Sequence, residues 1–248
     1  MIVLKTKAEI EKMRAAGKVV GQTLAMLRKM VVPGVKTSAL NEAAERFIRK
    51  QGAAPTFKGY HGFPAGLCIS INEQVVHGFP SARRLQEGDI ISIDCGATLN
   101  GYIGDSAITV CVGQCAPEVM ALVETTEKAL YAAIAAAKPG GRLGDISYAV
   151  EEVALASRYG IVREYCGHGV GRDLHEGPQV PNFGTPGTGP QIRSGWTIAI
   201  EPMLNLGGDA VSVLGDGWTV VTQDGSPSAH FEHSIAVTEA GADILTLP

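Results

Sequence analysis

Two histidines stand seven residues apart in the stretch Cys166–Val180, CGHGVGRDLHEGPQV. Imidazole can ligate a metal or move a proton near neutral pH. His168 lies between Gly167 and Gly169, and His175 is followed by Glu176. Two histidines alone do not separate a metal or catalytic site from a polar loop, so the acids matter. Asp94 and Asp105 lie in ISIDCGATLNGYIGDSAITV. Asn100-Gly101 predicts a two-residue type I′ hairpin turn. That register sets Leu99 opposite Tyr102 and Gly96 opposite Asp105, which puts both aspartates on one face as diagonal neighbours ~7–8 Å apart. At that spacing two carboxylates either converge on one cation or, without one, force a pKa upward; the other reading is a pair of solvent-facing strand acids, although aspartate is a poor strand former. Glu201 ends the run WTIAIEPML before Pro202, and Glu232 lies inside AHFEHSIAVTEAG. A glutamate in such a run is either paired or metal-bound, or an edge charge that discourages strand addition.

The elements that must carry these groups are legible. Thr6-Lys-Ala-Glu9 is a capping box opening a helix to about Met30, ended by Pro33-Gly34. Thr37 or Ser38 starts a second helix closed by Gly52. Residues 66–77 and 89–112 read as strands. Pro117 opens a long Ala-rich helix to about Lys138, and Asp145 is expected to cap a fourth, to about Tyr159. From Gly160 to Val237 the chain is glycine-rich and strand-like. PGVKTSALNEAAE at Pro33 and PGGRLGDISYAVE at Pro139 echo each other at an offset of 106 residues, as does the order of elements around them. The expectation is one domain, residues 1–248, of two similar halves, about 1–112 and 113–248, each with two helices on antiparallel strands. A site between such halves draws groups from both.

Bulk composition excludes several classes. The chain has 248 residues, 45% apolar and 19% charged, enough for a sizeable core. A net charge of −4 gives no footprint for nucleic acid and no polybasic membrane patch. The N-terminal sequence has no signal-peptide pattern, and no apolar run reaches ~18 residues. The five cysteines are read as free thiols in a reducing cytoplasm. Cys111 and Cys115 lack a second pair to complete a structural zinc site.

IDCGATLNGYIGDSA, CGHGVGRDLHEGPQV, IAIEPML and HFEHSIAVTEAG, in this order and with GYHGFPAGLCISINEQVVHGFP before them, resemble the type 1 methionine aminopeptidases over nearly the whole chain. The resemblance implies the α/β pita-bread fold, with two pseudo-symmetric halves of helices packed on a curved antiparallel sheet. It implies that Asp94, Asp105, His168, Glu201 and Glu232 are metal ligands. Four carboxylates and one imidazole are too many for a single open zinc site; they suit two divalent cations sharing carboxylates. The oxygen-rich set is compatible with Mn, Fe, Co or Zn. By the same likeness, Gly167 and Gly169 let the backbone approach the ions.

The resemblance further implies a cytoplasmic enzyme, a monomer, that removes the initiator methionine from peptides and nascent chains, met at the ribosome, whose second residue is small. Glu201 is expected to carry the proton, His175 to contact the scissile peptide and His77 to stand near the substrate amide. Phe57, Tyr60, Phe63, Cys68 and Trp218 match the methionine pocket, with Leu174 where many relatives carry an aromatic residue. The chain's own Ile2 predicts that Met1 is retained. Prolidases and proline-specific aminopeptidases resemble this ligand set too, but with an additional N-terminal domain, and type 2 methionine aminopeptidases carry an insertion where only 30 residues separate Glu201 from Glu232. A non-catalytic pita-bread binding protein is the remaining alternative; it would lack the ligands.

Overall fold

A computed structural model describes residues 2–248; the retention expected of Met1 lies outside the described residues. In chain order the elements begin with α1 (Lys7–Met30), α2 (Thr37–Lys50), β1 (Ala54–Pro55), β2 (Leu67–Ile71), β3 (Gln74–Val76), β4 (Ile90–Leu99) and β5 (Tyr102–Cys111). There follow α3 (Pro117–Ala136), α4 (Leu143–Ser157), β6 (Gly160–Ile161), β7 (Gly167–Gly169), β8 (Glu176–Val180), β9 (Thr197–Ile200) and β10 (Met203–Asn205). The chain closes with β11 (Val211–Val213), β12 (Val220–Thr222), β13 (Ser228–His230), β14 (Glu232–Thr238) and β15 (Gly241–Ile244).

Local chemistry sets the helix ends. Thr6 Oγ1 accepts from Glu9 N while Glu9 Oε2 accepts from Thr6 N, so the capping box is complete. Asp145 does not cap α4 as expected. Arg142 is the N-cap, and Asp145, three residues on, accepts from Arg142 N at 2.7 Å and from Gly187 N at 2.7 Å. Its carboxylate thus satisfies the amide of the N-cap residue from inside the helix, where the chain enters α4 through a β-bridge between Arg142 and Gln191. Lys36, the N-cap of α2 and 106 residues earlier, makes the corresponding bridge to Arg84.

The main sheet is nine-stranded and runs β1-β4-β5-β14-β9-β7-β8, with β2 added to β4 and β15 to β14. The β4–β5 hairpin has the expected register, Leu99 against Tyr102 and Gly96 against Asp105, around Asn100 at φ 52° and Gly101 at φ 75°. One face of the sheet is covered by helices over two apolar cores. Val20, Leu24, Leu27, Leu40 and Ile48 of α1 and α2 pack with Ile69, Ile91 and Ile93. Leu130, Ala133, Ile146 and Val150 of α3 and α4 pack with Trp196, Ile198, Ile200 and Ile235. Because strand side chains alternate, Ile93 and Cys95 point to the helices and Asp94 to the opposite face. There a third cluster, including Phe57, Phe63, Cys68 and Leu174, lines a cavity.

Candidate metal centre and active site

The five groups expected to ligate metal occupy neighbouring strands in spatial order. Asp94 is on β4, Asp105 on β5, Glu232 opens β14, Glu201 follows β9 and His168 is on β7. All five line a single cavity of about 240 Å³. Ligand atoms of Asp105, His168 and Glu232 lie within 4.8 Å of one another. His168 Nε2 is 3.8 Å from Asp105 Oδ2 and 3.6 Å from Glu201 Oε1. Its other ring nitrogen, Nδ1, is 2.9 Å from its neighbour's carbonyl, Gly169 O. With Nδ1–H donating there, Nε2 keeps a lone pair toward the acids.

The acids are costly where they stand. Asp94 Oδ1, Asp105 Oδ1 and Glu232 Oε1 are buried with no hydrogen-bond partner. Burial raises the pKa of Asp105 to about 7. It raises Asp94, Glu201 and Glu232 as well, and repulsion from Asp105 adds to each. Burial lowers His168 to about 4, which keeps it a neutral ligand. Orphaned, mutually repelling oxygens beside a neutral imidazole are the donor set a hard or borderline divalent cation completes. The residues present therefore fit a metal.

The glycines flanking His168 are required by the strands beside them. A Cβ on Gly167 would strike Ala199 O of β9, and one on Gly169 would strike Gly177 O of β8. Their smallness lets three strands close around His168, with register shifting between His168 and Gly169.

The remaining expected residues line the same cavity: His77, His175, Tyr60, Phe57, Phe63, Cys68 and Trp218, with Leu174 among them. His175 Nδ1 lies 2.8 Å from Tyr60 Oη, and its ring centroid is 4.4 Å from that of His168. Burial, then the charge of His61, lowers its pKa. His77 follows β3 in the left-handed region, φ 61°, with its ring edge-on to Tyr165 at 5.5 Å. Burial lowers it to about 4, and His175 adds to this. Phe63 packs against Trp218 at 5.2 Å and Phe79 at 5.3 Å, which fixes the apolar end of the cavity.

Sequence reasoning missed His61, Val76, Tyr165 and Cys166, which also line the cavity. It missed His230, buried on β13, whose Nε2 lies 3.7 Å from Glu201 Oε2 and has no hydrogen-bond partner. The available signal was its place two residues before Glu232, the same-face spacing along an extended chain. His61 and Tyr165 carry no such periodic signal; loops bring them in.

The sequence model of metallopeptidase family M24 matches residues 11–239. The chain belongs to that family. Among curated M24 relatives, methionine aminopeptidase 1 of Bacillus subtilis is 53% identical over 246 residues, covering 99% of each chain. The methionine aminopeptidase of Clostridium acetobutylicum is 51% identical, covering all of this chain and 99% of that one. The crystal structure of the Thermotoga maritima methionine aminopeptidase superposes with a TM-score of 0.99 at 48% identity, covering both chains fully. The prolidase of Pyrococcus furiosus shares the fold, at TM-score 0.80 and 24% identity, but the match covers only 66% of that longer chain. The curled antiparallel sheet backed by four helices is thus the pita-bread arrangement of the M24 metallopeptidases.

Proposed function

We infer that the protein is a metal-dependent methionine aminopeptidase, hydrolysing the first peptide bond of chains that begin with methionine and a small second residue. The observation that carries this is one cavity joining two things: a cluster of orphaned buried acids with His168, and an apolar wall of Phe57, Phe63, Cys68, Leu174 and Trp218. Near-full-length likeness to methionine aminopeptidases supports the same substrate.

In this reading Asp94, Asp105, His168, Glu201 and Glu232 hold two divalent cations, with Mn, Fe, Co and Zn all compatible with the donors. Such a pair, when bound, supplies Lewis-acid polarisation and a lowered pKa for water. Glu201, with a pKa raised by burial and by Asp105, accepts the proton of the attacking water and passes it to the leaving amine. Tyr60 Oη–H donating to His175 Nδ1 leaves the proton on Nε2, so His175 is a neutral donor for the developing oxyanion. His77, neutral down to about pH 4, contacts the departing peptide's amide. The flexible thioether suits a wall of aromatic rings and a neutral thiol; burial, then Asp94, keeps the Cys68 pKa high. Nascent chains at the ribosome supply such termini, and the enzyme acts on them as a cytoplasmic monomer; no described helix is long and apolar enough to cross a membrane.

The test is methionine release from Met-Ala-Ser and Leu-Ala-Ser, using chelated protein and protein resupplied with Mn(II) or Co(II). Release only from the methionine peptide, and only after resupply, is expected. Inertness toward both peptides under every metal would sink the reading. Within it, His175→Ala lowers kcat by ~100-fold while the metal count by atomic absorption is unchanged.

A further inference from the structure

His175 stands in a wall between two openings. In front is the metal-facing cavity; behind is an open cleft lined by Val3, Lys5, Glu9, Arg172, Asp173, Glu176 and Gly177. The loop 171–176 is held on one side by Ile103 N, which donates to Gly171 O at 2.9 Å, and by Arg172 over the Tyr102 ring at 4.5 Å. A lysine from the other end of the chain reaches it as well. The Lys5 side chain is only 3% exposed, rare for a lysine, and its Nζ lies 2.6 Å from Glu176 Oε2. Nζ also donates to Val3 O at 3.2 Å. The second oxygen of the same carboxylate, Glu176 Oε1, accepts from Arg172 N at 2.9 Å and Asp173 N at 3.4 Å. Glu176 thus ties the start of the loop to its end, and Lys5 ties the loop to the N-terminal arm.

The arm is itself anchored. Lys5 N donates to Gly195 O at 2.7 Å, Ile2 bridges Gly177, and Thr6 caps α1. Gly171 provides the space, since a Cβ there would meet both Glu176 Oε1 and Lys5 Cε. A buried ion pair adds little net stability, because desolvation offsets most of its attraction. Its effect is geometrical: it holds the carboxylate that accepts from Arg172 N and Asp173 N, and so the backbone leading into His175, while Glu176 itself pairs with Gly169 and Tyr60 Oη holds the ring.

We propose that Lys5 is a positioning residue for the reaction: the N-terminal arm, through the Lys5–Glu176 pair, holds His175 at its working place in the cavity wall. The proposal rests on the role given to His175 above. Lys5 does not line the metal-facing cavity, and reaches the loop through Glu176.

A double-mutant cycle on the metal-loaded enzyme tests it. Lys5→Met should lower kcat for Met-Ala-Ser by roughly tenfold, with KM within about twofold and the metal count unchanged. In a His175→Ala background the same substitution should change kcat by less than about twofold, because the group it positions is gone. An equal loss in both backgrounds would mean that Lys5 supports only the fold, and would overturn the proposal. If His175→Ala lowers kcat and Lys5→Met does not, the brace fails alone; if His175→Ala itself leaves kcat unchanged, the role of His175 fails and the brace with it. Should Lys5→Met not fold, Glu176→Gln breaks the same ion pair while retaining an oxygen for Arg172 N, and enters the same cycle.

Discussion

Three of the acids of the candidate centre, Asp94, Asp105 and Glu232, meet across two seams of very different construction. Asp94 and Asp105 meet across the β4–β5 hairpin, where ten residue pairs stand in register around a two-residue turn. Asp105 and Glu232 meet across β5 and β14, where only two pairs are in register, Glu232 with Ala107 and His233 with Ser106. Hydroxyls supplement the second seam. Ser234 Oγ accepts from Asp105 N at 3.1 Å and donates to Asp105 O at 2.8 Å. Ser106 Oγ donates to Glu232 O at 2.5 Å, and Thr109 Oγ1 both accepts from His230 N and donates to His230 O. The hairpin is local and its geometry follows from the turn. The long-range seam closes more than 120 residues of chain, and buried side chains replace the backbone ladder it lacks. Carboxylates can be set within reach of one another by either means, but only the seam depends on the whole molecule being folded.

The largest effects are expected at the carboxylates themselves. Asp105→Asn and Glu232→Gln, one from each side of the seam, should each cut activity by more than ~100-fold and lower bound metal by atomic absorption. If only one does so, the two sides do not contribute to one centre.

The hydroxyls of the long-range seam come next. Ser234→Ala leaves a buried amide of Asp105 without its partner, at a cost of ~1–3 kcal/mol, and should weaken metal affinity about tenfold by competition with a chelator. Unchanged affinity would show that the hydroxyls stitch the sheet without placing the acids.

A pH series perturbs the centre without mutation. A carboxyl whose pKa rises on folding holds more protons folded than unfolded, so its stabilisation is complete below the ordinary carboxylate range and is lost as pH climbs through the folded value. Asp105 at about 7 gives the chelated protein a stability that falls from the ordinary carboxylate range up to about pH 7, and Asp94, Glu201 and Glu232, also raised by burial, add to the fall in the same direction. The buried histidines have the opposite slope but act lower, between their ordinary 6.5 and about 4 for His168 or about 3 for His230. Urea midpoints of chelated protein should fall from about pH 6.5, where the histidines no longer oppose the carboxyls, through the Asp105 value of about 7, and stay level once Mn(II) is bound. A falling midpoint with metal bound would place the titrating groups elsewhere.

The smallest effect belongs to the hairpin turn. Asn100 sits at φ 52°, so Asn100→Ala should cost ~1 kcal/mol by thermal melting. Metal affinity should not change, because ten register pairs hold Asp94 and Asp105 regardless. A loss of affinity there would mean that the local ladder is weaker than the long-range seam.

Much of this was legible in the chain because it was local. The four helices, the Asn100-Gly101 turn and the alternation that sends Ile93 one way and Asp94 the other follow from capping, turn chemistry and the period of two. Asp145 was misread by three residues for an equally physical reason: an aspartate near a helix start can serve from the N-cap or from the first turn, and a β-bridge at Arg142 made the choice. The glycines around His168 were read as letting the backbone approach the ions; that β8 and β9 also press against them depends on sheet order and has no local signal.

What the sequence by itself determined is the kind of chemistry: acids where an apolar strand should have none, an imidazole among glycines, and an order of motifs that marks the family. What only the tertiary structure decided is which groups meet. It set Glu232 against Asp105, His230 beside Glu201 and Lys5 beneath the loop of His175, because contacts between residues far apart in the chain depend on sheet order and loop closure, and no local periodicity encodes them.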